Sequence, residues 1–119
     1  MQKQTFAHAL LHAANGIHCF FKTERNGKIQ LIVAVITLLI AFVVKISAIE
    51  WMAIVGCIAL VICLEMVNTA IELLCNMVEP NYNTSIKTIK DLAAAAVFCS
   101  SIASIIVGGI IFIPKIFIV

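Results

Sequence analysis

WMAIVGCIALVICLEMVNTAIELLC, residues 51 to 75, decides how this chain folds. From Trp51 to Leu64 nothing in it is charged, and the polar residues Glu65, Asn68, Thr69 and Glu72 all come late in the run. A bilayer core about 30 Å thick takes about 20 apolar residues of helix. Helix is the required form, because unpaired backbone N–H and C=O groups are not tolerated in hydrocarbon. The stretch therefore reads as a membrane-spanning helix with a polar stripe near one end.

Two more segments qualify on either side. Residues 29 to 46 (IQLIVAVITLLIAFVVKI) have Gln30 and Thr37 as their only polar residues before Lys45, and residues 92 to 113 (LAAAAVFCSSIASIIVGGIIFI) contain no charge. Ahead of them, Phe6, Ala9, Leu10, Ala13, Ile17, Phe20 and Phe21 recur at helical spacing, with His8, His12, Asn15 and Lys22 mainly elsewhere on the wheel. That pattern suits an amphipathic helix over about 4–22 lying in the membrane surface. Its histidines form a polar stripe rather than a metal site. The expected fold is all-α: an integral membrane protein of three transmembrane helices preceded by an N-terminal amphipathic surface helix, one domain over 1–119. A short connection is expected around Ile46 to Glu50, and a long polar one from Asn76 to Ile89, where Pro80, Asn81, Asn83, Thr84 and Ser85 give turn character.

Composition agrees. Hydrophobic residues make up 63% of the chain and charged ones 12%, against roughly a quarter charged in soluble domains. Too few charges remain to coat a water-facing surface. No secretory signal peptide is expected, since the first residues lack a continuous apolar core. The 5 cysteines are odd in number and form no CxxC, so they read as small hydrophobes rather than disulfides or ligands. A net charge of +2 is too small to suggest nucleic acid as a partner.

Cation placement orients the chain. Lys3, Lys22, Arg25 and Lys28 precede the first span and Lys87 and Lys90 lie between the second and third, leaving Lys45 and Lys115 on the other side. The Lys/Arg excess marks the cytoplasmic face, which puts the N-terminus and the long connection inside. Glu24, Glu65, Glu72 and Asp91 then gather in or near the cytoplasmic half of the membrane. Glu65 and Glu72 are seven residues apart, close to two helical turns, and Asn68 shares their face. An acidic residue within a span costs about 2.5–3.5 kcal/mol on insertion scales, so the stripe is expected to work rather than merely to glue helices together. A divalent cation would relieve the repulsion of stacked carboxylates, and Mg²⁺ favours one or two carboxylates plus substrate phosphates. Lys90 adds a cation for a phosphate, and a buried carboxylate suits general-base work on an alcohol. Metal, cation and base are the parts of phosphoryl transfer. The chain has no GxxxxGK[ST], GxGxxG or protein-kinase signature.

These residues resemble the prokaryotic diacylglycerol kinase family, which includes undecaprenol kinases. The family's Glu-x-x-Asn-[Ser/Thr]-[Ala/Ser]-x-Glu stretch is matched by EMVNTAIE at 65–72, its Lys-Asp followed by small residues by Lys90-Asp91-Leu92-Ala93-Ala94-Ala95, and its Glu after the surface helix by Thr23-Glu24-Arg25-Asn26. Gly16-Ile17 falls where the family has a Gly-hydrophobic pair. The resemblance implies an ATP-dependent lipid kinase of the bacterial plasma membrane with Mg²⁺ as cofactor. By it Glu65 is the base, in contact with the lipid alcohol. Glu24 and Glu72 hold the metal on ATP, and they contact the nucleotide along with Asn68, Lys90 and Asp91. His12, Tyr82 and Asn83 fall at further nucleotide-contact positions, and Ala94 belongs to the lipid-facing wall. The family assembles as homotrimers with shared sites. Asn76 stands where the family usually has Asp, and Glu-Arg-Asn at 24–26 is closer to the undecaprenol branch than to the diacylglycerol branch. The alternative reading is a cation or proton transporter using the intramembrane carboxylates. Against it, the outer half of the second span offers no polar residue for a path, and Glu24, Lys90 and Asp91 belong to one surface.

Overall fold

The computed structural model describes residues 5–118. Lys3, counted above among the cations, and Gln4, the expected start of the surface helix, lie outside the described residues. Four helices follow one another: α1 (Phe6–Thr23), α2 (Arg25–Val43), α3 (Ala48–Val78) and α4 (Thr84–Phe117). The last three are long and apolar enough to cross a membrane.

Each boundary has a local cause. Thr5 caps α1, its hydroxyl accepting from the His8 N–H at 3.2 Å. Only one residue, Glu24, separates α1 from α2, and its backbone is extended (φ −93°, ψ 118°). That single break turns the surface helix away from the span. The turn is held by a close approach in which Phe20, the buried residue of α1, lies on Gly27 of α2. A Cβ on Gly27 would stand 2.6 Å from Phe20 Cε2. Gly27→Ala should therefore displace the ring and loosen α1, destabilising the detergent-solubilised protein by about 1–3 kcal/mol, read as a lower Tm.

α2 also buries Ala34 and Ala41, seven residues apart, small residues that let α3 come close. The helix ends where Lys45 adopts a left-handed conformation (φ 57°). The Ile46 N–H then reaches back to the Ala41 carbonyl at 3.4 Å, and Ile46 is buried. Glycine is the usual residue in such a turn because it has no Cβ to clash. Lys45→Gly should leave the fold intact and raise stability by up to about 1 kcal/mol, checked by thermal melts.

Ser47 opens α3 with a reciprocal cap. Its hydroxyl accepts from the Glu50 N–H at 3.2 Å, and the Glu50 carboxylate accepts from the Ser47 N–H at 2.9 Å. The same carboxylate meets Lys115 Nζ at 3.3 Å, joining the start of α3 to the end of α4. Ala41, Ile46, Ile54 and Ile111 form the core beside this end, with Trp51 and Phe112 packed on them. α3 and α4 make the most extensive antiparallel pair, α2 covers part of α3, and α1 touches chiefly α2. The other large apolar side chains mostly face outward, as a lipid solvent permits.

The expected helices are all present, but α2 runs Arg25–Val43 rather than 29–46, the short connection expected around Ile46 to Glu50 falls at residues 44–47 because the Ser47 cap starts α3 early, and α3 and α4 are longer than expected. α3 has 31 residues and α4 has 34, about 46 and 51 Å at 1.5 Å per residue. The polar connection expected over Asn76–Ile89 shrinks to residues 79–83. Polar residues at its two ends continue the helices beyond the apolar spans. The stop comes at Pro80, and Asn83 restarts the chain, its Oδ1 accepting from the Ser85 and Ile86 N–H groups at 2.9 and 3.2 Å. Lys87, Lys90 and Asp91 consequently stand on a rigid helix rather than a loop. The 5 cysteines are free.

Candidate functional site

α3 turns Glu65 and Asn68 inward. Both are buried, at 5% and 7% exposure, so the polar stripe faces the other helices and not the surroundings. Glu72 continues the stripe but is exposed. The difference follows from α2, which begins only at Arg25 and so leaves the last turns of α3 less covered. Within the stripe Asn68 Nδ2 donates to Glu72 Oε1 at 3.4 Å. Asn68 Oδ1 is buried without a partner.

A second helix reaches the stripe. Gln30 of α2 donates from Nε2 to Glu65 Oε2 at 3.4 Å. This contact sets the levels of the other acidic groups. Glu24 lies six residues back from Gln30, about 9 Å, and Glu72 seven residues on from Glu65, about 10 Å in the same direction. Both carboxylates thus stand at one height, at the end of the bundle opposite the Glu50–Lys115 pair. Glu24, at the break between α1 and α2, is half-buried.

α4 brings the cations to that end. Lys90 is half-buried, and its Nζ donates to Asn76 Oδ1 at 2.6 Å. Asn76 therefore uses the oxygen that an Asp would offer, but it brings no negative charge to offset the ammonium. Asp91 is paired with Lys87 at 2.6 Å. That bridge is exposed and four residues apart on one helix, a kind worth only about 0.3–0.5 kcal/mol, so Asp91 is readily released to another partner. Asn83 spends its side-chain oxygen on the α4 cap. His12 on α1, Tyr82 between α3 and α4, and Ala94 on α4 are all exposed, open to a further molecule rather than packed on the stripe.

Direct contacts join Gln30 of α2 to Glu65 of α3 and Asn68 to Glu72, while Glu24, between α1 and α2, and Lys90 and Asp91, on α4, belong to the same end of the bundle without touching the stripe in one protomer. Gln30 escaped the motif reading. Its signal was present, since it is one of two polar residues in an otherwise apolar run, but its partner could not be read from one segment. Gln30 also lines a cleft of about 360 Å³ between α2, α3 and α4. The cleft is walled mainly by apolar side chains. It extends along the helices from Gln30, Ile62 and Ser101, near Glu65, to Thr37, Ile54 and Phe112.

The donor set suits a hard cation carried in with a ligand. Glu24, Glu72 and the orphaned Asn68 Oδ1 are all oxygen donors, as Mg²⁺ prefers. Among the described residues no group of three or more His, Cys, Asp or Glu side chains forms an all-protein metal cage.

Comparison with known proteins gives a consistent picture. The family model described as prokaryotic diacylglycerol kinase matches residues 11–112. An undecaprenol kinase of Bacillus subtilis (strain 168) is 37% identical over 110 residues, covering 92% of this chain and 89% of the relative. A diacylglycerol kinase of Synechocystis sp. (strain ATCC 27184 / PCC 6803 / Kazusa) is 37% identical over 106 residues, covering 87% of this chain and 59% of that longer protein.

Proposed function

This chain belongs to the prokaryotic diacylglycerol kinase family of membrane lipid kinases, and from that premise we propose that it transfers the γ-phosphate of Mg-ATP to the hydroxyl of a membrane lipid, with undecaprenol as the preferred acceptor. The reaction takes place at the cytoplasmic face of the bacterial plasma membrane, where the Lys/Arg excess puts the Glu24–Glu72 end of the bundle. The observation that carries the reading is the buried carboxylate of Glu65, held between apolar helices and one turn from the polar end of an apolar cleft. That cleft suits the hydrocarbon chain of a lipid whose alcohol rests at Glu65.

In this mechanism Glu65 accepts the proton of the lipid hydroxyl. The freed oxygen forms a bond to the γ-phosphorus, and the bond from that phosphorus to the bridging oxygen breaks, releasing ADP. The Lys90 ammonium would meet the phosphate charge, and Asn68 and Asp91 would make further contacts to the nucleotide. Glu24 and Glu72, with Asn68 Oδ1, would hold Mg²⁺, which when bound neutralises charge on the phosphates. Apolar helix surface around Glu65 keeps water from competing with the lipid alcohol. Shared sites in a homotrimer fit the exposure of Glu72, His12, Tyr82, Asn83 and Ala94, which one protomer leaves open to a neighbour or ligand. A transporter needs polar groups along its path, and the opposite half of this bundle is filled by an apolar core.

The test is one assay with detergent-purified protein, labelled ATP and Mg²⁺, offering undecaprenol in parallel with diacylglycerol. Label in undecaprenyl phosphate supports the reading. Faster labelling of diacylglycerol overturns the choice of acceptor, and no labelled lipid from either overturns ATP-dependent transfer.

A further inference from the structure

We propose that Gln30 is a positioning residue for phosphoryl transfer, its amide fixing the Glu65 carboxylate in the orientation that meets the acceptor hydroxyl. The inference deepens the proposed function and rests on Glu65 acting as base.

Two other polar side chains of the cleft satisfy themselves on their own helix. Thr37 donates to the Val33 carbonyl at 2.8 Å, and Ser104 to the Ser100 carbonyl at 2.8 Å. Gln30 instead crosses from α2 to α3, and its partner is the charged group of the site. Its other amide atom, Oε1, is buried with no partner. An unpaired buried acceptor is costly, and turning the amide over would not cure it. That turn would set Oε1 against Glu65 Oε2, two acceptors face to face. The carboxylate therefore dictates how the amide lies.

The geometry has a chemical consequence. Gln30 occupies Oε2 and leaves the second oxygen, Oε1 of Glu65, for the proton of the lipid hydroxyl. A glutamate side chain has three rotatable bonds and loses much freedom when held. Without the tether it samples orientations in which no oxygen meets the alcohol, and misplacement on the order of 1 Å costs about 100-fold in rate. At 3.4 Å the bond is long, as hydrogen bonds in a substrate-free site often are, and it tightens when the alcohol binds.

The experiment compares purified wild type, Gln30→Met, Glu65→Gln and the double variant in the labelled-ATP assay, with KM and melting measured for each. Gln30→Met keeps length and volume and removes the amide. It should lower kcat by about 10- to 100-fold, the worth of one hydrogen bond to a charged group, with KM for Mg-ATP and Tm unchanged. The double variant should be no slower than Glu65→Gln alone, because the two residues act as one unit. If Gln30→Met does not fold, Gln30→Asn, whose amide falls one methylene short, should show the same kcat loss. A kcat within twofold of wild type, or a loss that multiplies with that of Glu65→Gln, overturns the proposal. Full activity in Glu65→Gln removes the base assignment instead, and an inactive wild type removes the kinase reaction itself.

Discussion

Glu65→Gln should lose lipid phosphorylation by about 10²–10⁴-fold, the range that general-base catalysis contributes. The substitution changes almost nothing else. Gln has the same shape as Glu, and its carbonyl still accepts from Gln30. A buried charge is removed, and burying an ionised carboxylate is costly, so the variant should melt at the same temperature as wild type or higher. Binding of Mg-ATP should also survive, because Glu24, Glu72 and Lys90 are untouched. The decisive measurement is kcat with saturating lipid and Mg-ATP on protein whose melting has been checked. A variant that keeps more than about a tenth of wild-type kcat contradicts a base at this position.

Lys90→Met should lower kcat/KM for Mg-ATP by about 10²–10³-fold, the cost of removing one preorganised donor to developing charge. The size of the effect follows from the partner. Lys90 is bound to the neutral oxygen of Asn76, so its positive charge is not cancelled before a phosphate arrives. Lys87, one turn away, is exposed, whereas Lys90 is half-buried beside Asn76. Lys90→Arg keeps the charge but replaces a compact ammonium with a planar fork, and it should fall between wild type and Lys90→Met. A Lys90→Met protein with unchanged kcat/KM would place the phosphate elsewhere. Titration of rate against Mg-ATP at fixed lipid reads all three.

Much of this was legible in particular stretches of sequence. The apolar runs around Val35, Ile58 and Ile102 read as membrane spans, and the pattern from Phe6 to Phe21 reads as an amphipathic helix. Glu65, Asn68 and Glu72 declared themselves because acidic groups in an apolar helix are costly, and a local motif carries their spacing. The ends of the helices were less legible. Asn76, Ser85 and Lys87 fall in the polar, turn-rich stretch that reads as a connection, yet they lie in long helices that Pro80 and Asn83 separate.

What the sequence determined on its own was the solvent, the number of spans and the polar stripe, since each is a property of one contiguous segment and of the free energy of placing that segment in lipid. What only the tertiary structure decided was which groups meet: Gln30 with Glu65, Lys90 with Asn76, Glu50 with Lys115, and Phe20 on Gly27. The first three pairings depend on how separate helices slide and turn against one another. The fourth depends on the angle set by one extended residue at Glu24. Helix register and crossing are fixed by side chains packing across an interface, and no single segment carries both halves of that interface.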